Sequence, residues 1–99
     1  MDGISDRTQK KQPNKPPIFD ETFIGTKIEQ LWEFAEVDGI MKLIWCKGTV
    51  VSVSSNKKKV RIQWDKVYLR PGEPEVTEEK LLNQKWNKQI EKAWRLNLT

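Results

Sequence analysis

The sequence predicts a small, mainly β domain: a barrel of four to five antiparallel strands with a short C-terminal helix and a disordered N-terminal tail. Three observations predict it. Apolar and polar side chains alternate over residues 24–34 and 59–65, the period of a half-buried strand. Asp38-Gly39 and the run 54–57 supply tight turns between such stretches. The length, 99 residues, suits one small domain, which buries only about 60 to 65% of the surface its unfolded chain exposes. The domain is expected over residues 20–99 and the tail over 1–19.

Residues 1–19 are polar and turn-rich, with Asp2-Gly3, Lys10-Lys11-Gln12-Pro13 and Lys15-Pro16-Pro17, and hold almost nothing that can be buried. From Phe23 the character changes. Ile24, Ile28, Trp32 and Phe34 share one parity while Lys27, Glu29 and Glu33 take the other, which gives the first strand. The chain reverses at Glu36-Val37-Asp38-Gly39 into a second strand over 41–54. Within that strand the parity slips: Cys46, Gly48 and Val50 alternate in one register, Val51 and Val53 in the other, so a bulge or sharp bend is expected near 48–51.

Ser54-Ser55-Asn56-Lys57 makes the next turn, and a third strand follows over 59–65 with Val60, Ile62 and Trp64 inward. Pro71-Gly72-Glu73-Pro74 breaks regular structure. Thr77, with Glu78 and Glu79 behind it, reads as the N-cap and first turn of a helix running to about residue 83. Beyond it two patterns overlap at Trp94. Leu82, Trp86, Ile90 and Trp94 sit four apart as on a helix, whereas Trp94, Leu96 and Leu98 alternate as on a strand. A closing strand over 93–98 is favoured, because three strands left open would expose their edges.

Composition excludes most catalytic chemistry. The chain has no His and one Cys, so no Ser-His-Asp or Cys-His site, internal disulfide or CxxC-type zinc site can be built. No enzymatic activity, metal or cofactor is expected. Ser52, Ser54 and Ser55 beside Lys57 and Lys58 are explained as strand-end and turn residues. Cys46, mid-strand, reads as a small buried hydrophobe. Residues 1–17 carry no apolar core of a secretory signal, and no stretch approaches the roughly 20 apolar residues that span a bilayer. A non-secreted protein without membrane association is expected.

The net charge of +4 is spread along the chain. Its densest basic run, Lys57, Lys58 and Lys59 with Arg61, fits either a solvated hairpin tip or a nucleic-acid-binding surface combined with exposed aromatics. The excess that stands out is five Trp. Trp32, Phe34, Trp45, Trp64 and Tyr68 lie close to the loops after strands one and three, which share one end of a meander. Aromatic faces there with an acidic residue suit a methylated ammonium, because the cation meets the ring quadrupoles and desolvates cheaply. Asp65 and Asp38 are the acidic candidates. Core packing competes for Trp32, Trp45 and Trp64, while Phe34 and Tyr68, at strand ends, face ligand more readily.

In the order of its signals the chain resembles the Tudor and chromo-like members of the small SH3-like barrels. Gly25-x-x-Ile28 leads into strand one with an aromatic pair at its end; Trp45-Cys46-x-Gly48-x-Val50 and Val60-x-Ile62-x-Trp64-Asp65 follow. The likeness covers about residues 24–69, and 24–98 if the last strand closes the barrel. It implies a chromatin or ribonucleoprotein reader that holds methylated Lys or Arg of a histone-like peptide in an aromatic cage; a monomer is expected, nuclear or cytoplasmic, with the nucleus favoured. Carried over, the cage is Phe34, Trp64 and Tyr68 with Trp32, and Asp65 or Asp38 is its acidic wall. The Pro71-Gly72-Glu73-Pro74 linker and the tail around Trp86 and Trp94 depart from the family pattern. Two other readings stand beside this one: the nucleic-acid-binding barrel and a structural protein-interaction domain without a cage.

Overall fold

A computed structural model describes residues 12–98. The expected meander forms. β1 (Lys27–Ala35) pairs antiparallel with β2 (Met41–Val53), and β2 with β3 (Val60–Trp64). The β1–β2 reversal is closed by the Gly39 and Glu36 amides, and Gly39 takes the left-handed φ of +84° that a turn glycine supplies without steric cost. At the β2–β3 reversal Asn56 Oδ1 accepts from the Lys58 amide, locking the hairpin tip. The parity slip is a β-bulge: the β2–β3 register shifts between Val50 and Ser52, leaving Val51 unpaired and 39% exposed. Ile24 falls before β1 and is exposed, and its neighbour Phe23 is buried instead, in a 3-10 turn over Glu21–Phe23.

Two further strands flank the meander. β4 (Val76–Glu79) pairs with β3, and β5 (Trp94–Leu96) pairs with β1, giving the antiparallel order β4-β3-β2-β1-β5. The sheet is open, with β4 and β5 as its edges. The short C-terminal helix expected from Thr77 does not form, because its first residues, Thr77 to Glu79, belong to β4. Without them β3 would carry a free edge of unpaired amides and carbonyls next to the core. Val76 and Thr77 are β-branched and suit a strand, and the Thr77 hydroxyl accepts the indole Nε1–H of Trp64 at 2.8 Å instead of capping a helix. Glu78 lies opposite Arg61 and 3.6 Å from the Lys59 ammonium. A local capping signal has been overridden by cross-strand pairing. The helical turns among the described residues are 3-10 turns at Glu21–Phe23, Lys66–Tyr68 and Asn83–Lys85, and none is long and apolar enough to cross a membrane.

The inward face carries the core. Ile28 of β1, Cys46 and Val50 of β2, Val60, Ile62 and Trp64 of β3 and Trp94 of β5 are all buried in one cluster. Gly48 sits in the middle of it. A Cβ built there would lie 2.6 Å from Ile62 Cγ2 and 2.9 Å from Trp64 Cε3, so the absence of a side chain lets β3 lay its residues across β2. Trp86 and Trp94 meet edge to face at 4.7 Å, with a bridge between their backbones. The strand pattern thus prevails at Trp94. The Trp94 Nε1–H donates to the Leu82 carbonyl, tying β5 to the segment after β4 across the open side of the sheet.

Residues 1–11 of the expected tail lie outside the described residues. The rest of it, 12–19, is held against the domain. Gln12 uses both halves of its side-chain amide on the backbone of Leu96, accepting from its N–H at 2.9 Å and donating to its carbonyl at 2.7 Å, so it covers part of the β5 edge. The Pro13 carbonyl accepts the Trp86 indole N–H, and Phe19 stacks on Phe23 at 4.9 Å. On the outer face Arg95 pairs with Glu29 at 2.8 Å and lies 3.8 Å over the ring of Trp45. The Trp excess is therefore divided: Trp64, Trp86 and Trp94 are buried, Trp32 lies half-buried on the core side, and Trp45 lies half-buried on the opposite face.

Candidate functional site

In an antiparallel meander the β1–β2 turn and the connection after β3 lie at the same end. At that end the chain encloses a pocket of about 110 Å³ lined mainly by apolar groups. Each wall has a separate origin. Trp32 and Phe34 alternate inward at the end of β1, and Trp64 is the last inward residue of β3. Directly after β3, Asp65 donates its amide to the Lys47 carbonyl, and the 3-10 turn Lys66–Tyr68 brings Tyr68 over the opening. Cys46 of β2, Leu69, Pro74 and Thr77 complete the lining.

The rings are fixed by their neighbours. Trp32 and Trp64 stand edge to face, with centroids 6.1 Å apart and planes at 87°. The Trp64 indole N–H is satisfied by Thr77, whose hydroxyl donates in turn to Glu79 Oε2 at 2.9 Å. The Lys92 ammonium lies 3.2 Å from the Trp32 centroid, so one ring of the site already holds a cation. The Arg70 guanidinium, 5.4 Å from the Phe34 centroid, pins the loop after the 3-10 turn against β1.

The acidic member of the lining is Glu73. Gly72, with φ +88°, reverses the chain so that Glu73 returns toward the pocket, and its Oε1 accepts the Arg70 amide across the turn. Burial pushes the Cys46 thiol up to about 11, and the Glu73 carboxylate adds to the rise by disfavouring a second negative charge. The thiol is neutral at physiological pH and supplies a soft apolar surface rather than a nucleophile.

Of the candidates named from sequence, Trp32, Phe34, Trp64 and Tyr68 meet in this pocket, while Asp38 and Asp65 do not line it. Asp38 is exposed in the β1–β2 turn, where its Oδ1 accepts the Ile40 amide. Asp65 is exposed and precedes the 3-10 turn without a side-chain capping bond. Glu73 takes their place; its signal was the Pro-Gly-x-Pro reversal, which reads in sequence as a mere break. Trp86, in the tail that departs from the family pattern, is buried against Trp94 and does not line the pocket. The basic run lies elsewhere: Lys57, Lys58 and Lys59 occupy the β2–β3 hairpin at the opposite end of the sheet, with Lys59 paired to Glu78, and Arg61 is exposed on β3.

No group of His, Cys, Asp and Glu among the described residues is arranged to hold a metal ion. Fold and site together define a small open-sheet β domain with an aromatic-walled, acid-rimmed pocket beside the loop after β3. No family model matches the chain, and no curated protein or solved structure is significantly similar to it.

Proposed function

We propose that this protein is a non-catalytic binding module of the Tudor and chromo-like barrel type that reads a methylated Lys or Arg side chain of a histone-like peptide in the nucleus. The observation that carries the reading is the convergence of Trp32, Phe34, Trp64 and Tyr68 on one pocket with the Glu73 carboxylate in its lining. A cavity of about 110 Å³ is somewhat smaller than the ~150 Å³ apolar cavity known to take up benzene, so it suits a group of a few heavy atoms. A methylated ammonium fits that description: it keeps its charge for the ring faces and for Glu73, and its methyl groups weaken the hydration it must shed. Each good face contributes about 0.5 to 2 kcal/mol, so useful affinity needs several.

The alternative, a nucleic-acid-binding barrel, needs phosphate-contacting cations and stacking rings on one surface. Here the lysine-rich hairpin and the half-buried rings of the pocket lie at opposite ends of the sheet. Amide and indole NMR titration with methylated and unmethylated Lys and Arg peptides tests the proposal. Selective movement of the Trp32, Phe34, Trp64, Tyr68 and Glu73 signals with the methylated forms, abolished in Y68A, is expected. Equal response to both forms, or movement elsewhere, rejects it.

A further inference from the structure

At the end of the sheet remote from the aromatic pocket, three segments enclose an open groove of about 440 Å³: residues 16–19, the hairpin tip at Lys57 and Lys58, and residues 80–84. Their meeting follows from the sheet register. Val60 lies opposite Glu79, so the hairpin tip before β3 runs alongside Lys80 and Leu81 after β4. The groove has two kinds of wall. Ile18 is 77% exposed and Leu82 half-buried, giving an apolar side, while Lys57, Lys58 and Lys80 supply three ammonium groups.

These cations are largely unneutralised. Lys59, next in sequence, is taken by Glu78, and Asp20 acts at a distance on Lys57 while its carboxylate is engaged mainly by Thr22. Lys58 and Lys80 have no counter-ion among the described residues. The one aromatic side chain lining the groove is Phe19, and its half-buried ring is already engaged by Phe23 and Trp94, unlike the open stacking platforms that bind nucleobases. Asn83 and Gln84, both exposed, add amide groups able to meet a peptide backbone.

We infer that this groove binds an acidic peptide segment of a partner protein, with one aliphatic side chain seated against Ile18 and Leu82 and flanking carboxylates meeting Lys57, Lys58 and Lys80. Charge complementarity selects the partner, and the apolar wall fixes its register, because exposed ion pairs alone are weak and screened by salt. This surface is separate from the aromatic pocket, so either site can fail without the other.

The test is fluorescence anisotropy and amide NMR with a labelled Glu-Glu-Leu-Glu-Glu peptide on the full chain. Saturable binding is expected, with shifts confined to Lys57, Lys58, Lys80 and Leu82 and their neighbours. Affinity should fall about tenfold in the K58E/K80E variant, less in K58Q/K80Q, and by a similar factor when the central Leu of the peptide is replaced by Gly. Both lysine side chains are exposed and make no bond to another side chain among the described residues, and circular dichroism checks that the variants keep the fold. Unmoved groove signals, or equal binding of the Leu and Gly peptides, overturns the inference. So does displacement of the peptide by an equally charged thymidine oligonucleotide, or concentration-dependent groove shifts without peptide, which would make the occupant nucleic acid or a second copy.

Discussion

Replacing Gly48 with alanine probes the contact that seats β3 on β2 and holds Trp64 at the pocket wall. The new Cβ would lie 2.6 Å from Ile62 Cγ2, 2.9 Å from Trp64 Cε3 and 3.0 Å from the Gln63 carbonyl oxygen. Ile62 is fully buried, Trp64 is 6% exposed, and the third neighbour is backbone. None is the loose end of a flexible side chain, so the strain spreads into the ladder. Overpacking of this kind costs about 1 to 3 kcal/mol. Restricting the unfolded chain returns about 0.4 to 1 kcal/mol. At the middle of these ranges the net loss is about 1.3 kcal/mol, which corresponds to a Tm about 5 to 10 °C lower for a domain of this size.

Thermal unfolding followed by circular dichroism, with urea unfolding as a second measure, reads this directly. A double-mutant cycle isolates the cause. In an I62A background the nearest colliding atom is gone, so G48A should cost at least about 0.5 kcal/mol less than it does in the native chain. A G48A protein as stable as the native one, or strict additivity with I62A, refutes the close approach as the reason for the glycine.

Three further outcomes follow from the pocket wall. T77V removes the acceptor of the Trp64 indole N–H and should cost about 1 to 3 kcal/mol in urea unfolding, whereas T77S, which keeps the hydroxyl, should be close to neutral. The Cys46 thiol, at about 11 rather than 9.0, should be alkylated by iodoacetamide at pH 8 at least about 100-fold more slowly in the folded chain than in urea, since its thiolate fraction falls by that factor. The folded state holds the thiol proton more tightly than the unfolded state, so this stabilisation is complete below about pH 9 and is lost as pH rises through about 11. The decline should be shallower in C46A.

Much of the fold is legible in the sequence because its signals are local. The alternation of Val60, Ile62 and Trp64, the Asp38-Gly39 turn and the parity slip around Val51 each lie within a few residues, and each has its counterpart in the structure. Thr77-Glu78-Glu79 shows where such reading stops. The capping pattern was genuine as a local preference, yet the same residues complete the ladder beside β3 and give Trp64 its acceptor, gains that no window of neighbouring residues contains. Gln12 shows the same limit, since its partner Leu96 lies 84 residues away.

By itself the sequence determined the chemistry open to this protein, through the lack of His and the single Cys, and it determined which residues can form strands, through their period of two. Only the tertiary structure decided which Trp residues serve the core and which reach a pocket. Burial depends on what crosses above each ring: Trp86 is covered by Trp94 and Pro13, whereas Trp32 is left beside a cavity. It also decided that Glu73, not Asp38 or Asp65, shares that cavity. A carboxylate's neighbours are set by how a turn folds back, and the left-handed Gly72 brings Glu73 into one lining with Trp64 and with Phe34, which is distant from it in sequence.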